Sequence, residues 1–198
     1  CTFSSAWARA SERALAEASQ EQVDLAVARI LLGHGLIMGW DGLPLLYMGD
    51  EIATLNDRSY RNEPSRASDS RWVHRARMDW SRAAERHGDG PVGRVFRGTR
   101  HLVQVRGALP ALHAATPLEV LDLGDPALFA FVRAHPSGPL LAVHNLAETP
   151  AVVEGRVLEM IGLDVARDAI SGDAPFVPRR PIPLPAYAVR WLVAAAGS

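Results

Sequence analysis

Lysine is missing from this sequence: all 21 basic residues are arginine. The bias reads as codon usage in a GC-rich genome, since abundant alanine and glycine accompany it. Only one cysteine is present, Cys1, so no internal disulfide is available and the fold does not depend on an oxidising compartment. Neither sign of charge prevails, because the formal net charge is −1, so no global field recruits nucleic acid or an anionic membrane. No apolar run approaches the ~20 residues that cross a bilayer, and no charged segment followed by an apolar core marks a secretory leader. The expectations are no membrane partner and no nucleic-acid partner; the location is not assigned, a bacterial cytoplasm being favoured over the alternatives. The first residue is not Met, and the chain is expected to start inside a longer gene product. Phosphate-loop, dinucleotide and Gly-x-Ser-x-Gly fingerprints are absent. The seven histidines (His34, His74, His87, His101, His113, His135 and His144) show no paired ligand spacing, so no metal site is expected.

What is present is an ordinary globular composition, 48% apolar and 22% charged, that excludes a disordered tail. Charge is unevenly placed. Three arginines face eight acids in 1–57, twelve face five in 58–106, and six face nine in 107–198. With no nucleic-acid motif beside it, the basic middle reads as internal charge pairing.

Ser19 followed by Gln22 fits a capping box, and Val23, Ala26, Val27, Ile30, Leu31, His34 and Ile37 recur at helical spacing. The spacing predicts a helix over 21–38, with His34 on its buried stripe. The Ala-rich stretch through Glu17 reads as helical or loosely ordered. The apolar run Leu43–Met48, bounded by turn residues, reads as a strand buried on both faces. Asp50 and Glu51 stand just beyond it, and helix, buried strand and carboxylates in that order is the pattern of an α/β barrel. Adjacent acids on an extended segment point apart, so a structural role is expected for both. Residues 56–78 form a long polar loop with the cluster Asp69-Ser70-Arg71-Trp72, and a loop of this length in a compact domain is commonly functional. A second helix is predicted over 92–106, ended by Gly107 and Pro110.

From about Leu118 the chain breaks into short runs, 118–123, 127–133, 139–145, 150–157 and 186–193, separated by turn signals at hairpin spacing. This predicts a small antiparallel β-domain, a sandwich, over 114–198, after an α/β part over 1–113. Tyr187 and Trp191 are expected to fill its core. Their other use, as platforms for sugar, would make the tail a self-standing carbohydrate-binding or interaction module.

Together the segments resemble the α-amylase family of glycoside hydrolases (family 13), within it the amylosucrases and sucrose hydrolases. The residues that carry this are Gly42-Leu-Pro-Leu-Leu-Tyr-Met-Gly-Asp-Glu51, continued by Ala53-Thr-Leu-Asn-Asp57, and Asp69-Ser-Arg-Trp-Val-His-Arg-Ala-Arg77. The resemblance implies the last part of a (β/α)8 TIM barrel (helix 7, strand 8, helix 8) followed by an antiparallel β-sandwich. It implies a parent that transfers glucosyl units from sucrose with retention, to an α-glucan acceptor or to water, without a cofactor. The family's three catalytic carboxylates precede strand 8, so no catalytic residue is carried over and the chain is expected to be inactive without the preceding barrel segment. Arg71 takes the place of the arginine that closes the glucosyl pocket. Asp50 and Glu51 match a motif that supports the barrel, and Asn56 and Asp57 are possible loop contacts.

Overall fold

The computed structural model describes residues 2–7, 19–173 and 175–195. Cys1 and residues 8–18, which hold most of the Ala-rich stretch, lie outside the described residues. The chain forms two compact units, 1–33 with 46–100 and 34–45 with 101–198.

The first unit begins with helix α1 (Phe3–Trp7) and the N-terminal part of α2 (Gln20–Gly39). The capping box at the start of α2 is formed. The Ser19 amide donates to Gln22 Oε1 at 2.9 Å, and the Gln22 amide donates to Ser19 Oγ at 3.3 Å. Short 3-10 turns at Asp50–Ile52, Ser59–Asn62 and Ser70–His74 follow, then α3 (Trp80–Ala84) and the first part of α4 (Pro91–Ala108). Val27 and Ile30 of α2 pack against Ala53 and Val95, while Ile52, Ala83 and Val92 form a second small cluster. α2 is longer and more apolar than expected: its twenty residues have the length and composition of a membrane-crossing helix. Val27, Ile30, Leu32 and Met38 are buried inside the fold, which is the pattern of a core helix.

Several arginines of the basic middle form the expected charge pairs, among them Arg66 with Glu63 and Arg71 with Asp69. Arg94 reaches Asp24 across the unit, and Arg97 pairs with nearby Asp89 at 3.2 Å. Others neutralise backbone instead: Arg82 donates to the carbonyls of Ile52 and Ala53 (3.2 and 2.9 Å), and Arg86 to that of Ala83 (2.8 Å). The five-donor guanidinium serves several carbonyls at once, which lysine's ammonium cannot do from one plane.

The second unit is built on antiparallel strands β1 (Leu118–Leu121), β2 (Leu128–Arg133), β3 (Leu140–Asn145), β4 (Ala151–Val153), β5 (Ala166–Asp168), β6 (Ile182–Leu184) and β7 (Val189–Ala194). A short helix, α5 (Arg156–Met160), follows β4. Five strands make one sheet in the order β1-β2-β3-β7-β5, and β4 pairs with β6. Both sheets contribute to one core: Ala130, Val132, Leu141, Val143 and Leu192 meet Val153, Ile182 and Leu184, with Val157 and Leu158 of α5. The C-terminal part of α2 belongs to this unit. Trp40, just past the helix, lies 5.7 Å from Phe129 and 5.2 Å from Phe131. Arg106 of α4 donates to the carbonyls of Met38 and Gly42, and fully buried Arg133 donates to those of His113 (2.7 Å) and Gly39 (3.4 Å). Together these cations satisfy carbonyls at and just past the C-terminal end of α2.

Three expectations are corrected. The predicted strand over 43–48 is not one: the segment makes no ladder, and Leu43 and Leu45 are 88% and 78% exposed. A strand is defined by its partner, and among the described residues none lies beside it. The predicted run 150–157 is a strand only to Val153. There Gly155 passes so close to the Arg180 backbone that a Cβ would lie 2.2 Å from its carbonyl oxygen, and α5 begins. Strand β6 falls inside a proline-rich stretch. Pro183 is exposed while Ile182 and Leu184 are buried, so the proline sits in a two-stranded ribbon where its missing N–H is tolerated.

Candidate functional site

The segment after Leu46 is folded by one tight turn. Gly49 has φ of 94°, a left-handed conformation open to glycine, and a Cβ there would lie 2.5 Å from Thr54 Oγ1. With that glycine the chain closes on itself: the Asp50 amide donates to the Tyr47 carbonyl (3.0 Å) and the Thr54 amide to the Gly49 carbonyl (2.9 Å). The two acids brace the turn. Asp50 Oδ2 accepts from the Tyr47 amide at 3.3 Å, and Glu51 Oε2 accepts from the Gly49 amide at 2.8 Å. Glu51 is thus turned back into the loop. Burial pushes the Asp50 carboxyl above its ordinary range, with the Glu51 charge adding to the effect and the Tyr47 hydrogen bond opposing it.

The second block is organised by Asp69. Its carboxylate caps the 3-10 turn Ser70–His74 by accepting from the Arg71 amide at 3.0 Å. The same carboxylate takes the Arg71 side chain in a two-pronged pair, Nε to Oδ1 at 2.8 Å and Nη2 to Oδ2 at 2.9 Å. That pair lowers the Asp69 carboxyl to about 2. The Arg71 side chain is 70% exposed, so the fork stands out from the turn in a fixed direction. Trp72 beside it carries Arg66 at 4.4 Å and Arg75 at 5.6 Å from its ring centroid.

The structure brings Asp50 together with the end of this second block. A cavity of about 400 Å³ is lined by Thr2, Phe3, Tyr47, Met48, Asp50, Thr54, His74, Arg75 and Ala76. Arg71 and Glu51 do not line it. Asn56 ties α1 to the loop: its Oδ1 accepts from the Thr2 amide at 2.7 Å, and its amide donates to Ser5 Oγ at 2.9 Å. Asp57 is held locally, its amide donating to the Val73 carbonyl (2.9 Å) and its Oδ1 accepting from the Ser59 amide (2.8 Å). Both therefore act as loop contacts within the protein. His74 and Arg75 were not singled out from the sequence, although they stand three and four residues beyond Arg71 in the same block. Among the described residues no three His, Cys, Asp or Glu side chains come together as a metal site. Tyr187 is 6% exposed and Trp191 is 0% exposed, so both lie in the core of the second unit.

Residues 120–193 match the family model for the C-terminal domain of amylosucrase. An AmyP variant crystallised with maltotriose superposes with a TM-score of 0.69 at 16% identity over 91% of this chain. A trehalulose synthase MutB variant in complex with the substrate sucrose gives 0.59 at 16% over 84%. Cyclic α-maltosyl-(1→6)-maltose hydrolase from Arthrobacter globiformis gives 0.58 at 20% over 85%. At these identities the likeness is one of fold. The chain spans 37%, 38% and 31% of those three proteins. By these likenesses the chain, a mix of helices and antiparallel sheet, corresponds to the C-terminal part of an amylosucrase-like protein.

Proposed function

We propose that this chain is the C-terminal segment of a retaining α-glucosyl-transferring enzyme that acts on sucrose, passing glucose to an α-glucan chain or to water. The observation that carries the reading is the match of 120–193 to the amylosucrase C-terminal domain. In this reading residues 1–113 are the end of a TIM barrel, with α2 as its seventh helix, 43–48 as its eighth strand and α4 as its eighth helix. Residues 114–198 are the appended β-sandwich. The exposed apolar side chains of Leu43 and Leu45 accord with a segment that pairs only when the rest of the barrel is present. A bacterial cytoplasmic location belongs to the same reading.

The chemistry is a double displacement. A barrel Asp attacks the anomeric carbon while a Glu protonates the departing fructosyl oxygen, and the covalent glucosyl-enzyme is then opened by the acceptor. Neither residue lies in this chain. What it supplies is Arg71, a cation that Asp69 presents to the outside in a defined orientation. A guanidinium so held can pair with a barrel carboxylate and close the pocket around one glucosyl unit. A self-standing carbohydrate-binding module is not favoured by any observation, because the aromatics that motivated it are buried.

The test is to express the whole reading frame and to measure fructose release from sucrose. Release by the whole protein but not by residues 1–198 alone supports the reading. Arg71→Ala is expected to cut kcat/KM by about a hundredfold, the usual cost of a lost charged contact in a closed site. A whole protein that leaves sucrose intact overturns it.

A further inference from the structure

The cavity in the first unit is lined by groups whose mismatch specifies a ligand. A carboxylate at Asp50 offers only lone pairs and the Arg75 guanidinium offers only N–H donors. Both line the same 400 Å³ space, yet among the described residues Arg75 forms no ion pair. Its guanidinium lies 5.6 Å from the Trp72 ring centroid, in the field of the nearby Asp69 carboxylate. Asp50 has its Tyr47 amide bond at 3.3 Å and acceptor capacity to spare, since a carboxylate accommodates about four hydrogen bonds. Thr2, Thr54 and His74 add groups that can both donate and accept, while Phe3, Tyr47 and Met48 supply apolar surface.

A small anion placed here would meet Asp50, and a small cation would meet Arg75. A neutral ring with hydroxyls on adjacent carbons satisfies both, donating to the carboxylate through O–H and accepting from the guanidinium on oxygen. Its C–H face then lies against the apolar side chains. The volume is at the small end of the range for ligand pockets, about 300–1,000 Å³, which suits one or two sugar rings. We propose that this cavity binds a neutral mono- or disaccharide between Asp50 and Arg75, at a site distinct from Arg71. The choice of a sugar over another polyol rests on the sucrose-acting reading above. The complementarity of donor and acceptor does not.

The test uses the chain of 198 residues itself, titrated calorimetrically with sucrose, glucose and fructose, and with inorganic phosphate as the anionic control. Saturable binding of at least one sugar in the millimolar range is expected, with none of phosphate. Asp50→Asn and Arg75→Gln are each expected to weaken it at least about tenfold, and Arg71→Ala to leave it unchanged. Should Asp50→Asn loosen the turn, amide shifts read the site without it: on adding sugar to the unaltered chain, Asp50, Thr54 and His74–Ala76 should move together. No saturable sugar binding up to about 100 mM, where even the weakest specific affinities register, overturns the proposal. So does phosphate binding, equal loss in Arg71→Ala, or indifference to both Asp50→Asn and Arg75→Gln. Failure here leaves the fructose-release assay on the whole protein unaffected, and a negative result there leaves this binding intact, so the two readings fail separately.

Discussion

Replacing Asp168 with alanine should be among the most damaging single changes in the second unit. Its carboxylate is 1% exposed and accepts four hydrogen bonds. Oδ1 takes the amides of Ile170 (3.0 Å) and Trp191 (3.1 Å), and Oδ2 takes Ser171 Oγ (2.9 Å) and Arg190 Nη1 (3.0 Å). Asp168→Ala strips all four donors at once and leaves a guanidinium only 12% exposed. Breaking a buried pair from one side costs about 3–5 kcal/mol. Arg190 keeps Asp173 at 3.1 Å, a carboxylate 58% exposed, so the lower end, about 3 kcal/mol, applies. That is a large part of the roughly 5–15 kcal/mol that holds a domain together, and corresponds to a fall in Tm of about 6–12 °C. Asp168→Asn keeps an oxygen for the two amides and should lose about half as much. Urea unfolding followed by tryptophan emission gives both values. A double-mutant cycle with Arg190→Met then isolates the pair, with an expected coupling of about 1–3 kcal/mol. If Asp168→Ala cost less than about 0.5 kcal/mol, as a surface change does, the account of this network would be refuted.

Other outcomes follow from the same structure. His144 is fully buried and held by desolvation at about 4, and buried His34 likewise at about 4. The unfolded chain takes up these protons near 6.5 and the folded chain refuses them until about 4, so stability is present above pH 6.5 and is lost as pH falls through that window. The loss is about 3 kcal/mol per histidine, read as Tm against pH, and His144→Phe should flatten the slope. Gly155→Ala must displace the Arg180 backbone, because its Cβ would stand 2.2 Å from a carbonyl oxygen, and should cost about 1–3 kcal/mol. Gly107→Ala meets nothing within 4 Å in α4 and should gain up to about 1 kcal/mol, both measured by urea midpoint. Leu43→Ser with Leu45→Ser should reduce self-association in light scattering and change stability by less than about 0.5 kcal/mol, since both side chains are exposed.

Local rules carried much of this fold. The capping box at Ser19 and Gln22 and the 3.6-residue stripe behind it place α2 within one residue of its observed ends, because both signals act within a few residues of chain. The hairpin strands β1 to β3 were legible for the same reason: turn residues separate them, and each pairs with its sequence neighbour. β5 and β6 were not. Three residues each, they are defined by partners twenty or more residues away, and proline at 183 hid the second. The 43–48 segment shows the converse, a strand pattern without a ladder. At the site, Arg71 stood out by its block and Asp50 by its turn. The meeting of Asp50 with His74 and Arg75 depends on how the loop of 56–76 returns, anchored by Asn56 on α1 and by Asp57 on Val73. No spacing rule encodes that return.

The position of β7 sets an order of assembly. β3 lies between β2 and β7, and all six of its residues are buried. During synthesis β1, β2 and β3 can form a meander at once, but the outer edge of β3 stays open until residues 189–194 have emerged, more than forty residues later. Through that interval an apolar ladder edge, Leu140 to Val143, is a template for any other strand nearby. Pairing over such a separation also raises contact order and slows the final step. A ribosome stalled anywhere between 146 and 188 would therefore display the most aggregation-prone surface this unit ever has, and a holdase that recognises short apolar β-segments would find its target at 140–143.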